Sequence, residues 1–413
     1  MGELEVIYEI IDVKYNYPGI RVVKLYTFEA ENTDDTGSDT DTDTGDTGSD
    51  TDMSAAIDTP WKRTLVYQII PGAVDKIFNT FPVFQQVASK EGISRSIGLK
   101  IYEDYKDTSI ALVDLRHRYD GFPSSTIDKS TITLTLAVNT GRIGFDREND
   151  LSGYSRQGVE ATILHEMLHA FMYDSCINGM LGVDSSGTYV DNNRFPTWFY
   201  EGMAQTVWGA GDNGNDFLAS TGKNGLGLTE NSSFEEIREV LSSKEGSIGA
   251  PGYGNYIPAQ YGTGYLACMY LGYSTIGKPE DYTPADIARG LNTMLEKIIA
   301  GYSLDTLIKE VTNEQFTSTS NFQDNFPKSD EAIRFVQGLL KKIGSSGNGS
   351  VVGTTFEDSD LLEDRDFTSG LYSGYYRIDP LNEAVYSSAN GTRDWGTGLH
   401  MQNGSNFLTK TLK

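Results

Sequence analysis

The feature that constrains this chain most is the pentapeptide HEMLH at residues 165–169, which lies inside the apolar segment GVEATILHEMLHAFMYD. Residues four positions apart lie on one face of an α-helix, one turn above the other. His165 and His169 can therefore share one zinc ion. The alternative is a chance match to three fixed residues. Against it, two of the chain's four histidines stand at this spacing, in a segment whose apolar neighbours predict a buried helix.

A catalytic zinc needs a third protein ligand and one open position. The residues after His169 hold neither the glycine turn nor the third histidine of the longer HExxHxxGxxH motif, so that motif is excluded. The segment FPTWFYEGMAQTVWGAG predicts a second helix after Pro196, with Glu201 near its middle. A lone helical glutamate is usually a solvated charge, but this apolar run favours a buried ligand. Gly202 and Ala204 are expected to let this helix approach the HEMLH helix closely.

Glu166 lies beside His165 on the same helical turn. From there it can reach a water activated by the metal without ligating the metal itself. The pattern therefore predicts peptide-bond hydrolysis, in which Glu166 takes the proton from the water and later delivers it to the leaving amine.

The segments HEMLHAFMYD and PTWFYEGMA together resemble the gluzincin metallopeptidases, in which HExxH is followed by a glutamate ligand on a later helix. They are most similar to flagellinolysin, a metallopeptidase domain inserted in some bacterial flagellins. The segments WGAGDNG, YGTGYLACMYL and SLDTLIKEVTN add to a likeness that covers roughly residues 60–345. Three features depart from it: the first 58 residues lack a flagellin-like heptad helix, the segment GTGLHMQNGSNFLTKTLK is followed by no C-terminal coiled-coil helix, and Gln205 stands where relatives often carry an acid.

The resemblance implies an α+β, zincin-like (thermolysin-type) domain with a small N-terminal β-sheet subdomain, the active-site helix and a mostly helical C-terminal subdomain. It implies one catalytic zinc ion and a zinc endopeptidase that cleaves proteins, with flagellin or another filament or surface protein as the substrate. Gluzincins often add a tyrosine or histidine that stabilises the oxyanion. The candidates here are Tyr261, Tyr265 and Tyr256, with Tyr261 favoured and a purely structural role as the alternative for each. By fold analogy, the half-exposed strand at 130–138 borders the cleft and pairs with the substrate backbone.

The composition divides the chain into four parts. Residues 1–30 predict a β-hairpin, and 31–58 a flexible, acidic linker. Residues 59–344 form the predicted metallopeptidase domain, with strands near 98–105, 108–116 and 130–138. A Gly/Ser-rich linker and a small β-rich appendage follow at 345–413. Helices are predicted near 73–92, 157–173, 197–208, 232–242, 261–275, 284–299, 303–312 and 329–343.

The net charge of −25 argues against nucleic acid as a partner, because phosphate contacts need clustered Lys and Arg. No apolar run is long enough to span a membrane. Cys176 and Cys268 are expected to be buried free thiols. No Sec signal is visible, so the chain stays in the cytosol, leaves by a route that needs no such signal, or has been trimmed. Since an unregulated cytosolic peptidase endangers its cell, export or assembly-coupled release is predicted, with the terminal segments docking the enzyme onto a filament or particle.

Two other readings of the motif stay open. In one, the chain is a structural or binding protein of a filament or particle that carries a peptidase fold as a module; Glu166 argues against it, because such a module does not need a general base. In the other, the zinc site is structural. Structural sites are usually closed by four protein ligands, often cysteines, and neither Cys176 nor Cys268 has metal-motif spacing.

Overall fold

The computed structural model describes the chain at residues 5–11, 22–28, 60–91, 95–102, 109–119, 126–145, 147, 151, 153–190, 193–209, 217–248, 258–346, 349–352 and 376–377. These residues form a mixed, mostly helical structure with small β-sheets, which is compatible with the predicted α+β class. Within them, no helix has both the length and the apolar character that crossing a bilayer requires.

The N-terminal residues contribute two strands, β1 (Glu5–Ile11) and β2 (Val22–Phe28). They pair antiparallel over their whole length, from Glu5 opposite Phe28 to Ile11 opposite Val22. The Pro-Gly turn predicted between them and the acidic linker predicted at 31–58 lie outside the described residues.

A four-stranded sheet contains three strands that precede the histidine-bearing helix in the chain and one that follows it. Its strands are β3 (Arg95–Tyr102), β4 (Ala111–Tyr119), β5 (Ile127–Asn139) and the short β6 (Tyr376–Arg377). The order across the sheet is β4-β5-β3-β6. β5 pairs antiparallel with β4, and β3 pairs parallel with both β5 and β6. Among the described strands, β4 therefore forms one edge of this sheet.

Strand β5 lies in the interior of the sheet, which corrects two predictions. Residues 134–139 pair with β3 on one side, and residues 133–138 pair with β4 on the other. Both backbone edges of this stretch are therefore occupied, so it cannot pair with a substrate. Nor is it half-exposed, since Thr135 is only 2% exposed. The alternation of threonine with apolar residues in β5 predicts one solvated face. In the structure residues 134–139 are all buried, so both faces of this stretch are packed against other parts of the protein.

The described helices account for every predicted helical segment. They are α1 (Pro60–Arg63), α2 (Ile70–Thr80), α3 (Pro82–Glu91), α4 (Gly153–Ser175), α5 (Ile177–Leu181), α6 (Thr197–Trp208), α7 (Phe234–Ser242), α8 (Pro258–Thr275), α9 (Pro284–Ile299), α10 (Leu304–Val311), α11 (Thr319–Asn325) and α12 (Asp330–Ser346). A π-helical turn, Thr64–Ile69, joins α1 to α2. The segment predicted as one helix at 73–92 is two, because Pro82 disfavours the helical conformation at Phe81.

The ends of α9 follow the predicted signals, whereas the end of α12 does not. Thr283 and Asp286 form a reciprocal capping box around Pro284 at the start of α9, and Gly301 follows its end with φ of +98°. Gly344 was expected to end α12, yet the helix continues through Ser346. An isolated glycine is tolerated inside a helix.

The Gly/Ser-rich linker expected from residue 345 does not begin there. Helix α12 extends into that stretch, and residues 349–352 fold back onto α6. Ser350 is 5% exposed and Val351 is 3% exposed. A composition typical of solvated linkers is here part of the packed structure, because the polar groups of the segment find hydrogen-bond partners.

Helix α4 runs through the hydrophobic core. Every residue from 159 to 174 is buried, and the helix packs against α2, β4 and α6. Helix α6 in turn lies against both α4 and α8. The two helices that carry the predicted ligands are therefore held by neighbours on several sides.

Candidate metal centre

The three predicted ligands converge at the contact between α4 and α6. His165 and His169 lie one turn apart on α4, Glu201 lies on α6, and all three residues are at most 4% exposed. The His165 and His169 Nε2 atoms are 3.0 Å apart, and the Glu201 Oε2 atom lies 3.2 Å and 3.3 Å from them, respectively. Of the described residues, these three form the cluster able to hold a metal ion.

The spacing of these atoms matches a tetrahedral metal. Three donors about 2.0–2.1 Å from a tetrahedral zinc are separated from one another by about 3.3 Å. The observed separations, 3.0–3.3 Å, agree with that value. A buried cluster of two imidazoles and one carboxylate can thus bind a metal ion.

The electrostatics of His165 and Glu201 favour the protonation states that a metal requires of these two groups. Burial lowers the pKa of the His165 imidazole, against the opposing effect of Glu201. Burial alone would raise the pKa of the Glu201 carboxyl, but the charges and hydrogen bonds of His169 and His165 outweigh it and hold that pKa below its ordinary value. A neutral imidazole and an ionised carboxylate are the forms that ligate metals.

Aromatic rings, which the sequence analysis did not identify, orient the two histidines. The Trp208 ring stands edge-on to His165 with centroids 5.7 Å apart, and the Tyr200 ring lies 6.0 Å from His169. The Nδ1 atoms of both histidines are buried and make no hydrogen bond to any described residue. Among the described residues, packing against the Trp208 and Tyr200 rings therefore sets the orientation of the two imidazoles. Spacing could have suggested Trp208, because it follows Glu201 by two helical turns.

The carboxylate of Glu166 is fixed by the edge of the sheet. Its Oε2 atom accepts a hydrogen bond from the backbone N–H of Val113, at 2.9 Å. Val113 is fully buried on β4, and Glu166 is 3% exposed. The residue predicted as the general base thus stands beside the first histidine with one oxygen held in place. No side-chain pattern could have identified Val113, since it acts through its backbone.

Of the two candidate tyrosines among the described residues, Tyr261 is the one that reaches the cluster. Its ring lies 6.0 Å from His165 and stacks on Phe217 at 5.6 Å. Tyr265, one turn further along α8, is fully buried and donates its hydroxyl to the Gly349 carbonyl, at 2.8 Å. Within the described residues its ring contacts neither histidine, so the structure places it in the core. Tyr256 lies outside the described residues.

Gly202 allows a close helix approach, but to a different helix from the one predicted. A Cβ atom at this position would lie 2.3 Å from the Gly264 carbonyl oxygen and 2.8 Å from Cys268 Sγ. Both neighbours belong to α8, whereas the sequence pattern predicted a close approach to the HEMLH helix, α4. The backbone contact between α6 and α8 therefore fixes α6 immediately beside its ligand, Glu201.

Gln205 lies one turn after Glu201 and binds its own helix end instead of a metal ligand. Its Nε2 atom donates to the Gly209 carbonyl, at 2.6 Å, and the side chain is fully buried. Asp174 is buried at the end of α4. Cys176 and Cys268 are buried free thiols, as predicted. The side chain of His117 and all of His400 lie outside the described residues.

The fold and this site define a mostly helical α+β protein with a buried His-His-Glu cluster that can bind a metal ion. Comparison of the chain with protein-family models, curated proteins and solved structures gives no match. The functional inference therefore depends on the chemistry of these residues.

Proposed function

We propose that this protein is a zinc-dependent endopeptidase. The observation that carries the proposal is the convergence of the His165, His169 and Glu201 donor atoms within 3.0–3.3 Å of one another, directly beside Glu166. Two imidazoles and a carboxylate are a donor set typical of catalytic zinc, which keeps three protein ligands and one open position. The cluster contains no cysteine, which argues against a closed structural site.

A zinc ion held there would polarise the scissile carbonyl and lower the pKa of a water molecule towards about 7. Glu166 receives the proton from that water and passes it to the leaving amine. The Val113 N–H holds Oε2 of Glu166 in place, and the carboxylate so oriented takes the proton. Tyr261 donates its hydroxyl to the oxyanion, a role supported by its ring contact with His165.

The substrate pairs with the outer edge of β4 in this proposal. The carbonyl oxygen of Ile110 accepts a hydrogen bond from the backbone N–H of Asn139. In an antiparallel pair every second residue bonds to the partner strand, so the backbone N–H and C=O groups of every second residue from Ile110 onward face β5. The groups of Ala111, Val113 and Leu115 face the opposite way, as the bond from Val113 N to Glu166 illustrates. An extended peptide that adds to this edge gains main-chain hydrogen bonds and passes beside the general base. β4 thus takes the role that the sequence analysis gave to β5.

The finer class in this proposal is a thermolysin-type zincin of the gluzincin group, similar to flagellinolysin. Its supports are the HEMLH and WFYEG motifs, the sheet packed on α4 and the helical bundle that carries Glu201. Its substrates are proteins, with flagellin or another filament or surface protein as the expected target. We further propose export or assembly-coupled release of the enzyme, with the terminal segments docking it onto a filament or particle.

Cleavage of a protein by the zinc-loaded full-length chain tests this function. We expect new peptide termini in an unstructured protein and in flagellin, detected by mass spectrometry, and complete inhibition by a zinc chelator. Flagellin cleavage would also support the family resemblance. A chain that binds zinc but cleaves neither substrate would contradict the proposal and favour a binding or structural module.

Tyr261→Phe is expected to lower kcat by about 10²-fold with little change in KM, because one hydrogen bond to the oxyanion is lost. The matched variant is Tyr265→Phe, one helical turn away, whose hydroxyl binds Gly349. At saturating zinc, Tyr265→Phe should retain wild-type kcat within a few-fold. Steady-state kinetics on a fluorogenic peptide measures both variants; equal losses of kcat would assign no special role to Tyr261.

A further inference from the structure

Helix α6 ends where a distant part of the chain supplies its C-terminal cap. The last carbonyl groups of any α-helix lack partners within the helix. Gln205 O accepts from Gly209 N, within the same segment. The next two carbonyls, those of Thr206 and Val207, accept from residues more than 140 positions further along. Val351 N donates to Thr206 O at 2.9 Å, and Ser350 Oγ donates to Val207 O at 2.7 Å.

The segment that supplies these bonds, residues 349–352, is here called the C-terminal clamp. It is itself fixed to α8, because the Tyr265 hydroxyl donates to Gly349 O at 2.8 Å. Gly349 has φ of +73°, and a Cβ there would lie 2.4 Å from the Tyr265 hydroxyl oxygen. Only a glycine fits this conformation and this contact without strain. The clamp therefore has one defined position, between α8 and the end of α6.

The clamp matters for the metal centre because of where α6 is held. Glu201 is the ligand on α6, and Gly202 beside it contacts the α8 backbone. The carbonyls of Thr206 and Val207 lie one to two turns beyond Glu201 on the same helix. Helix α6 is thus held at two points. At Gly202 it contacts α8 directly, and at its C-terminal end it binds the clamp, which Tyr265 fixes to α8. A helix held at two points has little freedom to slide or tilt relative to the two histidines on α4.

We propose that Ser350 is a positioning residue for the metal ligand Glu201, and that the C-terminal clamp sets the affinity of the site for zinc. This inference rests on the proposed function only as far as zinc binding and does not require peptidase activity. It also gives Tyr265 a role different from the catalytic one first considered: its hydroxyl supports the metal centre by holding the clamp.

The test measures the zinc dissociation constant of the full-length chain by competition with a chromophoric chelator. Ser350→Ala is expected to raise this constant by about 10-fold, the lower end of the effect of removing partners behind metal ligands. Ser350→Thr keeps a hydroxyl and should restore affinity to near the wild-type value. Tyr265→Phe keeps its ring but frees Gly349, so it should weaken zinc binding in the same direction.

The matched control is Ser243→Ala. Ser243 Oγ also donates to a carbonyl at a helix end, Val240 O at 2.6 Å, but on α7, which carries no proposed ligand. The Ser243→Ala variant should lose about as much folding stability as Ser350→Ala. Its zinc dissociation constant should stay at the wild-type value. Equal dissociation constants for wild type, Ser350→Ala and Tyr265→Phe would overturn the proposal. A wild-type chain without bound zinc would overturn the metal centre and the clamp together, whereas zinc binding without cleavage would contradict only the peptidase function.

Discussion

Glu166→Gln is expected to lower kcat/KM for peptide cleavage by about 10²–10⁴-fold, which is the usual contribution of a general base. This corresponds to roughly 3–5 kcal/mol of transition-state stabilisation, at about 1.4 kcal/mol for each tenfold. The bound zinc and the thermal stability should stay close to wild type. Glutamine keeps an oxygen that accepts from the Val113 N–H, so the buried hydrogen bond survives while the proton acceptor is lost.

The choice of glutamine over alanine follows from that hydrogen bond. Glu166→Ala would leave the buried Val113 N–H without its acceptor, at a cost of about 1–3 kcal/mol, and would mix a stability loss with the catalytic one. The matched control is Glu160→Gln, on the same helix, where the buried carboxylate binds Arg156 at 3.1 Å. It should retain activity within a few-fold. Activity of Glu166→Gln within a few-fold of wild type would remove Glu166 from the mechanism.

Glu201→Gln is expected to weaken zinc binding by about 10²-fold or more, because a neutral amide replaces a charged ligand. At a zinc concentration of 1,000 times the wild-type dissociation constant, the metal stabilises the wild-type fold by about 4.1 kcal/mol. At the same concentration, a 10²-fold weaker site contributes only about 1.4 kcal/mol. The zinc-dependent rise in Tm should therefore be smaller in the variant by roughly 3–5 °C, given an unfolding entropy of about 2.1 cal/mol/K per residue.

Thermal unfolding with and without zinc measures this difference, and the two glutamates of the site serve as mutual controls. Glu166→Gln and Glu201→Gln make the same chemical change beside the same histidines. Only Glu201 is positioned as a ligand, since its Oε2 atom lies within 3.3 Å of both Nε2 atoms. Glu166→Gln should keep the full zinc-dependent rise in Tm. A full rise in Glu201→Gln would show that Glu201 is not a ligand.

The sequence was sufficient to predict the helices and the convergence of His165, His169 and Glu201, because local signals determine both. Helix α6 spans Thr197–Trp208, the predicted bounds, since Pro196 precedes it and Gly209 closes it with positive φ. Spacing of four residues brought His165 and His169 to one face of α4. The apolar run around Glu201 correctly predicted its burial, as 2% exposure shows.

Features that depend on pairing between distant segments could not be predicted. Strands β4 and β5 have similar apolar patterns, so nothing local shows that β4 is the sheet edge and that Val113 reaches Glu166. Tyr261 and Tyr265 share one helix face, and their roles differ because Gly349, 84 positions beyond Tyr265, accepts the second hydroxyl. Composition cannot distinguish a Gly/Ser-rich clamp from a linker, because the difference lies in whether its polar groups find partners.

Zinc X-ray absorption of the zinc-loaded, full-length chain tests the central claim most directly, because it reports the atoms bound to the metal. We predict one zinc ion per chain, with two imidazole nitrogens and further oxygen donors at about 2.0–2.2 Å and no sulfur. The imidazole signal should fall in His169→Ala. A sulfur shell near 2.3 Å, which would place Cys176 or Cys268 on the metal, or a wild-type chain that retains no zinc, would contradict the His165, His169 and Glu201 site.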